Sequence, residues 1–366
     1  MRTLVLSDLH LGARRPIDIL RRPEPLDALC SGLAQVDRLV LLGDVLELRQ
    51  GPAHEALAAA GPMLEAIGGA LPRGAEVLIL AGNHDHEIVA PWLAARGATQ
   101  APEPLGLGQS ADASASPLGE ALAARLGSRV DVRLAYPGVQ LRDDIWATHG
   151  HYLDRLITVP TFERIAAGGM ARIVGRLPEA PGARASAEEF EAALAPMYAW
   201  LNQIASGRAA GGRWAASGAT AKAFELLNSD GRRPLRGRAL AALLPLGIAG
   251  LNLAGLGPVR HRIDGAELRR AGLVAMGRVV ELLGVQARHV IFGHTHCAGP
   301  LDWHDPAEFR TPSGIALMNA GCWVEEPRIE TQDVRSPYRP GFAVLVEEEG
   351  PPRLVRVTED LGRAAG

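Results

Sequence analysis

The sequence has few cysteines and few aromatic residues. Its 366 residues include 3 Cys, and only 4% are aromatic. Cys30, Cys297 and Cys322 show no paired spacing, which argues against a disulfide framework and favours a reducing compartment. The chain also lacks a Cys motif that would favour a thiolate metal site. With 47% hydrophobic and 22% charged residues, the composition is that of a folded globular protein.

The N-terminal segment does not predict a secretory signal. MRTLVLSDLHLG has an apolar stretch of four residues, TLVL, before Ser7 and Asp8. The apolar region of a signal peptide needs about 7–15 residues. We therefore expect a cytoplasmic protein.

The first hundred residues alternate between strand-like and helix-like segments. RTLVLSD, VDRLVLLGD and AEVLILAGNHD are apolar runs that end in Asp, Asn or His, and residues 25–35 and 53–68 are long enough for crossover helices. This βαβ pattern predicts an α/β fold with a largely parallel sheet. Functional residues are then expected beyond the carboxyl ends of the strands.

The rest of the chain divides by composition. Residues 101–126 begin as a Pro/Gly/Ala/Ser-rich linker or mobile loop. Strand-like runs follow on either side of a mostly helical segment, residues 152–290. That segment has 18 Arg and Lys against 11 Asp and Glu, whereas the remainder has 20 against 30. We therefore predict a catalytic domain over residues 1–151 and 291–366, interrupted by a basic helical insertion over residues 152–290.

Five short motifs stand at the ends of predicted strands. They are SDLH (Asp8, His10), LLGD (Asp44), AGNHD (Asn83, His84, Asp85), THGH (His149, His151) and FGHTH (His294, His296). Carboxylate, amide and imidazole groups are ligands that suit Mn²⁺, Fe or Zn²⁺. Residues i and i+2 of an extended segment share a face, so Asp8 with His10, and His294 with His296, can each offer two convergent ligands.

The motifs are sufficient for two metal ions. A pair of ions ~3.5–4 Å apart needs a bridging anion and a bridging solvent molecule. Asp44 is the best candidate for the bridge, because it stands alone in its motif after a glycine that permits close backbone approach. A hydroxide between the two ions would be the nucleophile at neutral pH.

The ordered set D-x-H, G-D, G-N-H-D, H-G-H and G-H-T-H resembles the calcineurin-like metallophosphoesterase superfamily. The resemblance covers residues 1–150 and 290–346 and implies a four-layer α/β/β/α sandwich. It implies a first metal held by Asp8, His10 and His296, a second held by Asn83, His149 and His294, and Asp44 between them. His84 would contact the phosphate and protonate the leaving oxygen, and Asp85 would orient His84.

The SDLHLG opening and the HGHxxD motif are most similar to the UDP-2,3-diacylglucosamine diphosphatase-like branch of this superfamily. Members of that branch typically have Arg at the position of His84 and Asp at that of His151, and a shorter insertion. His151 is open to a substrate-contacting role, a supporting role, or simple replacement of the Asp. Cys297 and Cys322 are expected to be packing residues.

The resemblance and the insertion together favour a lipid-linked or amphiphilic phosphoester or pyrophosphate as substrate. The insertion joins the fourth motif to the fifth, so it is expected to cover the metal ions as a basic, apolar cap. Two alternatives remain. One is a nuclease whose basic insertion holds nucleic acid, although the insertion is poor in aromatic residues for base stacking. The other is a catalytically silent scaffold docked on a membrane.

Residues 239–259, ALAALLPLGIAGLNLAGLGPV, form an uncharged run. As one helix it could reach ~30 Å, about the hydrocarbon core of a bilayer. Pro245 and Pro258 argue against a continuous helix, and one crossing would place the metal ligands on opposite sides of the membrane. We expect a broken hairpin, either buried under the cap or dipping into one leaflet. In the second case residues 232–262 would give peripheral contact with the inner face of the membrane; the alternative is that their arginines form a solvated basic face.

Overall fold

Two β-sheets carry the strands in the described part of the chain. The structure is a computed structural model that describes residues 1–99, 103–159, 177–178, 180, 182–208, 265–325, 333, 335–357 and 359. The larger sheet has seven strands and the smaller has four. The α/β class predicted from the sequence is confirmed at this level, as a mixed sheet accompanied by helices.

The larger sheet has the order β11-β10-β1-β2-β3-β5-β4. Its strands are β1 (Thr3–Leu6), β2 (Arg38–Leu42), β3 (Glu76–Leu80), β4 (Gln109–Asp112), β5 (Asp131–Tyr136), β10 (Phe342–Val346) and β11 (Arg353–Arg356). The central strands β1, β2, β3 and β5 are parallel, whereas β10, β11 and β4 run antiparallel to their neighbours. The sheet is therefore mixed, and the expected largely parallel arrangement holds only at its centre.

The smaller sheet has the order β6-β7-β8-β9. Its strands are β6 (Gly138–Arg142), β7 (Ile145–Thr148), β8 (His289–Phe292) and β9 (Ala316–Asn319). β7, β8 and β9 are parallel to one another. β8 begins at His289, so its first two residues fall inside the predicted insertion.

Six α-helices belong to the described residues. They are α1 (Pro23–Leu33), α2 (Ala53–Ala70), α3 (Ala90–Gly97), α4 (Pro117–Leu126), α5 (Ala187–Arg208) and α6 (Gly265–Leu283). α1 and α2 are the crossover helices expected from the βαβ pattern. α4 begins after Ser116, whose hydroxyl accepts a hydrogen bond from the N–H of Gly119. Residues 103–108, at the beginning of the predicted linker or loop, have no helix or strand, whereas the rest of residues 101–126 contains β4 and α4.

The strand residues alternate between two apolar cores. Leu4 and Leu6 of β1 belong to a core shared with α1, α2 and α4, whereas Val5 between them belongs to a second core. This alternation follows from the two-residue repeat of a β-strand. We call the second core the inter-sheet core, because it combines β1, β2 and β3 with Ile145 of β7 and Ile291 of β8.

A third core covers the other face of the smaller sheet. Trp146 of β7 and Phe292 of β8 pack there with Phe190 of α5 and Met276 of α6. Both helices come from residues 152–290. Residues 160–176, 179, 181 and 209–264 of the predicted insertion lie outside the described residues, so the boundaries of the insertion stay a prediction.

The described helices include none that is long and apolar enough to cross a bilayer. Residues 239–259 and the basic residues 232–238 and 260–262 lie outside the described part of the chain. The expectations about a broken hairpin and about membrane contact through residues 232–262 therefore remain predictions.

We expect Ile291→Ala to lower the free energy of unfolding by about 2–5 kcal/mol, because it opens a cavity in the inter-sheet core. Ile291 is fully buried. The measurement is urea denaturation followed by tryptophan fluorescence. Val274→Ala on α6 is the control, since Val274 is 74% exposed, and its effect should stay within about 0.5 kcal/mol. An unchanged unfolding free energy for Ile291→Ala would contradict this packing.

Candidate functional site

The predicted site residues follow directly after strands of both sheets. Asp8 comes after β1 and Asp44 after β2, and residues 83–85 come after β3. His149 follows β7, while His294 and His296 follow β8. Because parallel strands present their carboxyl ends at one edge, these loops can meet. The structure brings all nine of the predicted metal-binding and catalytic residues into adjoining loops.

The backbone at five of these residues is left-handed. Positive φ values at non-glycine residues occur, among the described residues, at Asp8 (57°), His10 (46°), Asp44 (50°), His294 (67°) and His296 (55°). Each such residue costs about 1–3 kcal/mol, and such strain concentrates at functional sites. The i, i+2 argument from an extended segment is therefore wrong in its geometry. The pairs converge because the chain after the strand turns through left-handed residues.

Asp44 lies at the centre of the cluster. Its Oδ2 is 3.7 Å from His10 Nε2 and 3.6 Å from His149 Nε2. The side-chain amide of Asn83 also lies 3.2 Å from Oδ2. One carboxylate oxygen thus faces ligand candidates from three other loops, which is the position expected for a shared ligand.

We divide the ligand candidates into two groups, and the first ligand group consists of Asp8, His10 and His296. The Nε2 atoms of His10 and His296 are 3.2 Å apart, and His296 Nε2 is 3.3 Å from Asp8 Oδ1. Asp8 Oδ1 is buried and accepts no hydrogen bond from the described residues. A buried carboxylate oxygen without a donor is costly, so this group fits a cation.

The second ligand group consists of Asn83, His149 and His294. The Asn83 side-chain oxygen lies 3.2 Å from His149 Nε2 and 3.1 Å from His294 Nδ1. Turning the amide over would place its NH₂, which has two hydrogens, within reach of three possible acceptors, the two ring nitrogens and Asp44 Oδ2. The amide can therefore hydrogen-bond to these groups in the metal-free protein or present its oxygen to a cation. Asp8, Asp44 and His149 also offer ligand atoms within 4.8 Å of one another, which links the two groups.

Two ligand candidates, His149 and His294, hydrogen-bond through their second ring nitrogen to an oxygen atom outside the cluster, and His10 has a carboxylate at ion-pair distance from its second nitrogen. His149 Nδ1 is 2.9 Å from the carbonyl of Leu42, and His294 Nε2 is 2.9 Å from Asp154 Oδ1. His10 Nδ1 is 3.3 Å from Glu47 Oε2. A ring N–H donated to such an oxygen leaves the other nitrogen with its lone pair directed into the cluster, as metal-binding histidines require.

Close packing explains two glycines of the motifs. Gly43 has φ +87°, and a Cβ there would collide with the His149 ring. A Cβ on Gly82 would collide with the carboxylate of Asp44. Both positions exclude a side chain, because the backbones must approach the ligand atoms closely.

His84 lies at the edge of the cluster and is paired with Glu47. Its Nδ1 is 3.0 Å from Glu47 Oε2, its Nε2 is 4.0 Å from Asp44 Oδ2, and its side chain is 18% exposed. Its backbone N–H also donates to Asp44 Oδ1 over 2.8 Å. Sequence reasoning missed Glu47. The only available signal was a carboxylate three residues after Asp44.

Asp85 has a different role from the one expected. Its carboxylate accepts hydrogen bonds from the backbone N–H groups of Gly82 and Val45, both at 2.7 Å, and from those of Asp44 and Leu46, both at 3.2 Å. The carboxylate that contacts the His84 ring is Glu47. The expectation that Asp85 orients His84 is therefore corrected: Asp85 ties the loop after β2 to the loop after β3.

Two further polar residues that sequence reasoning did not assign complete the surroundings. Asp154, the last residue of HGHxxD, is buried against His294. The Arg49 guanidinium donates to the backbone carbonyl of Asn83 over 2.9 Å, and its Nη1 is 3.3 Å from His84 Nε2. Asp154 could have been inferred from its motif, whereas Arg49 belongs to none.

His151 and the cysteines lie apart from the ligand atoms. His151 is buried, and its Nε2 is 3.0 Å from the hydroxyl of Tyr136. Burial raises the pKa of Cys297 to about 12, which keeps its thiol protonated. Cys322 is also buried. These observations agree with the expected packing role of both cysteines.

The cluster without a cation combines ionised carboxylates with protonated imidazoles. Burial by itself lowers the pKa of His10 and His149, but contact with Glu47 raises that of His10 to about 10, and Asp44 raises that of His149 to about 9. Burial acts in the opposite direction on Asp8, where His149 and His296 prevail and lower the pKa to about 2. The site is thus a buried set of carboxylates whose negative charge is compensated by protonated histidine rings.

No protein-family model matches the sequence, and no curated protein matches it. The resemblance to metallophosphoesterases therefore depends on the five motifs and on the geometry of the residues they contain.

We expect Mn²⁺ to displace protons when it binds the metal-free protein at neutral pH. The raised pKa values of His10 and His149 keep both rings protonated there, and a cation binds only the neutral ring. Proton release should therefore decrease, and the apparent affinity increase, as the pH rises towards about 10. Calorimetric titrations in buffers with different ionisation enthalpies measure the protons released. Binding without proton release at neutral pH would contradict this charge state.

Proposed function

We propose that the protein is a calcineurin-like metallophosphoesterase that hydrolyses a phosphoester or pyrophosphate with the help of two divalent metal ions. The observation that carries the proposal is the position of Asp44 Oδ2 between two ligand groups, with His10 Nε2 at 3.7 Å and His149 Nε2 at 3.6 Å. The left-handed backbone of Asp44 and of four other ligand candidates supports it.

We also propose the fold that this family implies, a four-layer α/β/β/α sandwich. The three apolar cores support it, since one joins helices to the larger sheet, one joins the two sheets, and one joins the smaller sheet to helices. In this proposal residues 152–290 form the helical cap, and α5 and α6 are its described α-helices.

The residues fit two divalent cations. Asp8, His10 and His296 would hold one, Asn83, His149 and His294 would hold the other, and Asp44 would serve both. Mixed carboxylate, amide and imidazole ligands favour Mn²⁺, with Fe or Zn²⁺ as alternatives. When bound, such a pair supplies positive charge for the phosphoryl oxygens and activates water for attack on phosphorus.

His84 and Arg49 are placed to act on the substrate. Burial and the charge of Arg49 lower the pKa of His84, despite its contact with Glu47, so the free site holds a neutral ring. A phosphate anion bound beside Arg49 would offset that charge and favour protonation of His84. His84 could then donate a proton to the leaving oxygen, with Glu47 holding Nδ1.

Arg49 also supports an anionic substrate. Its guanidinium is oriented by the Asn83 carbonyl and lies 5.8 Å from the ring centre of Tyr198. Arginine on the exposed side of a metal site is well suited to bind phosphate oxygens. The amphiphilic character of the substrate is a further proposal that depends on residues 239–259, and peripheral contact with a membrane depends on residues 232–262. Both ranges lie outside the described residues.

We expect Asp44→Ala and His84→Ala to reduce Mn²⁺-dependent hydrolysis of bis-p-nitrophenyl phosphate. Loss of His84 should cost about 10²–10⁴-fold in kcat, the range typical of a positioned proton donor. Loss of Asp44 should abolish activity, because both ligand groups lose their shared oxygen. Steady-state kinetics at saturating Mn²⁺ measures both effects.

Asp27→Ala and His54→Ala are matched controls, because both side chains are exposed and outside the cluster. They should retain full activity. Full activity of Asp44→Ala would exclude this site as the centre of hydrolysis. Cleavage of DNA with a steep salt dependence would instead favour the nuclease alternative, and a protein that binds metal but hydrolyses nothing would favour the scaffold.

We expect Arg49→Gln to raise KM more than it lowers kcat. A hydrogen bond to a charged group contributes about 1.5–3 kcal/mol, so the loss should be roughly 10–100-fold in kcat/KM. Arg15→Gln serves as the control, since Arg15 is exposed and outside the cluster. An unchanged KM for Arg49→Gln would show that Arg49 does not bind the substrate.

A further inference from the structure

A second cluster of polar side chains is buried beside the ligand loops. Glu191 of α5 is at its centre, with His86, Tyr136, His151 and Tyr152 around it, and we call these five residues the Glu191 cluster. The side chain of Glu191 is 13% exposed, and the other four residues are buried. None of the five is a ligand candidate, so the proposed chemistry leaves the cluster without a role.

The carboxylate of Glu191 accepts three hydrogen bonds from three separate segments. Tyr152 donates its hydroxyl to Oε1 over 2.6 Å, and the hydroxyl of Tyr136 donates to the same oxygen. His86 Nε2 lies 3.0 Å from Oε2. A carboxylate that accepts several donors in a buried site holds its partners in fixed positions.

Two of these donors belong to the loops that carry the second ligand group. His86 is three residues after Asn83, and Tyr152 is three residues after His149. His151, between His149 and Tyr152, lies 3.0 Å from the Tyr136 hydroxyl. Since this hydroxyl donates to Glu191, its oxygen can accept the N–H of His151. Glu191 therefore connects the loop after β3 to the loop after β7.

The third member of the second ligand group is tied to the same loop. His294 Nε2 contacts Asp154, which belongs to the short helical turn His151–Arg155 that also contains Tyr152. The loop of Asp8 and His10 is different, because the hydrogen bonds of Glu191 within the described residues all go to the cluster. Glu191 should therefore affect one ligand group more than the other.

The charge of Glu191 is compatible with this role. Burial raises its pKa, but the contacts with His86 and the two tyrosine hydroxyls prevail and lower it. The group is therefore an ionised carboxylate with three donors. Removing the charge would weaken all three hydrogen bonds together, because charged acceptors form the stronger bonds.

We propose that Glu191 is a positioning residue for the second ligand group, since it holds the loops of Asn83 and His149 at the spacing that a metal ion requires. This inference rests on the proposed function in assuming that the group binds a metal. It makes part of residues 152–290 a structural component of the metal site. α5 is then required for full metal occupancy.

The test measures Mn²⁺ binding to the Glu191→Gln variant. Calorimetry and the electron paramagnetic resonance of free Mn²⁺ detect the binding. We expect the wild-type protein to bind two ions. The variant should bind one ion with unchanged affinity and the other about 10–100-fold more weakly, the usual cost of losing a residue that supports a metal ligand. Circular dichroism verifies that the variant is folded.

Glu188→Gln is the matched control, because Glu188 lies on the same helix but is exposed. It should bind both ions normally. Tyr152→Phe is a second variant that removes one donor and keeps the ring packed on Phe190, where the ring centres are 4.8 Å apart. It should lower the affinity for the same ion, by a smaller factor than Glu191→Gln does.

The outcomes separate this inference from the proposed function. Normal binding of both ions by folded Glu191→Gln, or equal weakening of both, would overturn the positioning role, even if the enzyme hydrolyses phosphoesters. Selectively weaker binding of one ion, in a protein that hydrolyses no phosphoester, would uphold the positioning role and count against the proposed function. A wild-type protein that binds no Mn²⁺ would contradict both.

Discussion

The site depends on the burial of one carboxylate, that of Asp44, among groups from several loops. A buried charge is costly unless it is paired. Burial raises the pKa of Asp44, but His149, His84 and His10 prevail and hold it well below its usual range. In the metal-free protein the protonated rings of His10 and His149 supply the compensating charge, and metal cations would supply it in the proposed enzyme. Proton and metal therefore compete for the same buried position.

The rest of the fold maintains this arrangement against its strain. Five of the ligand candidates have a left-handed backbone, and each costs free energy that local contacts do not offset. The adjoining strands are buried on both faces, and Asp85 binds four backbone N–H groups of two loops. A rigid sheet edge with such a tie can keep ligand atoms at fixed positions.

The helical segment and the sheets are less separate than the sequence suggests. Composition and charge divide the chain at residues 151 and 290. However, Glu191 of α5 accepts hydrogen bonds from His86, Tyr136 and Tyr152. Phe190 of the same helix packs on the ring of Tyr152. The segment that was expected to cover the metal ions therefore also contacts the loops of the ligand candidates, which would couple any movement of α5 to the proposed metal site.

The sequence by itself determined which residues come together in the candidate site, because polar motifs at the ends of apolar strands can be recognised from local order. It also determined the central strands and the helices α1 and α2, whose apolar runs follow the period of each element. It could not reveal the roles of Glu47, Arg49, Asp85 and Glu191. Each role depends on a partner in another loop or on the bend of the chain after a strand. Those features arise only when distant segments pack, so the tertiary structure alone decided how the ligands converge and what holds them.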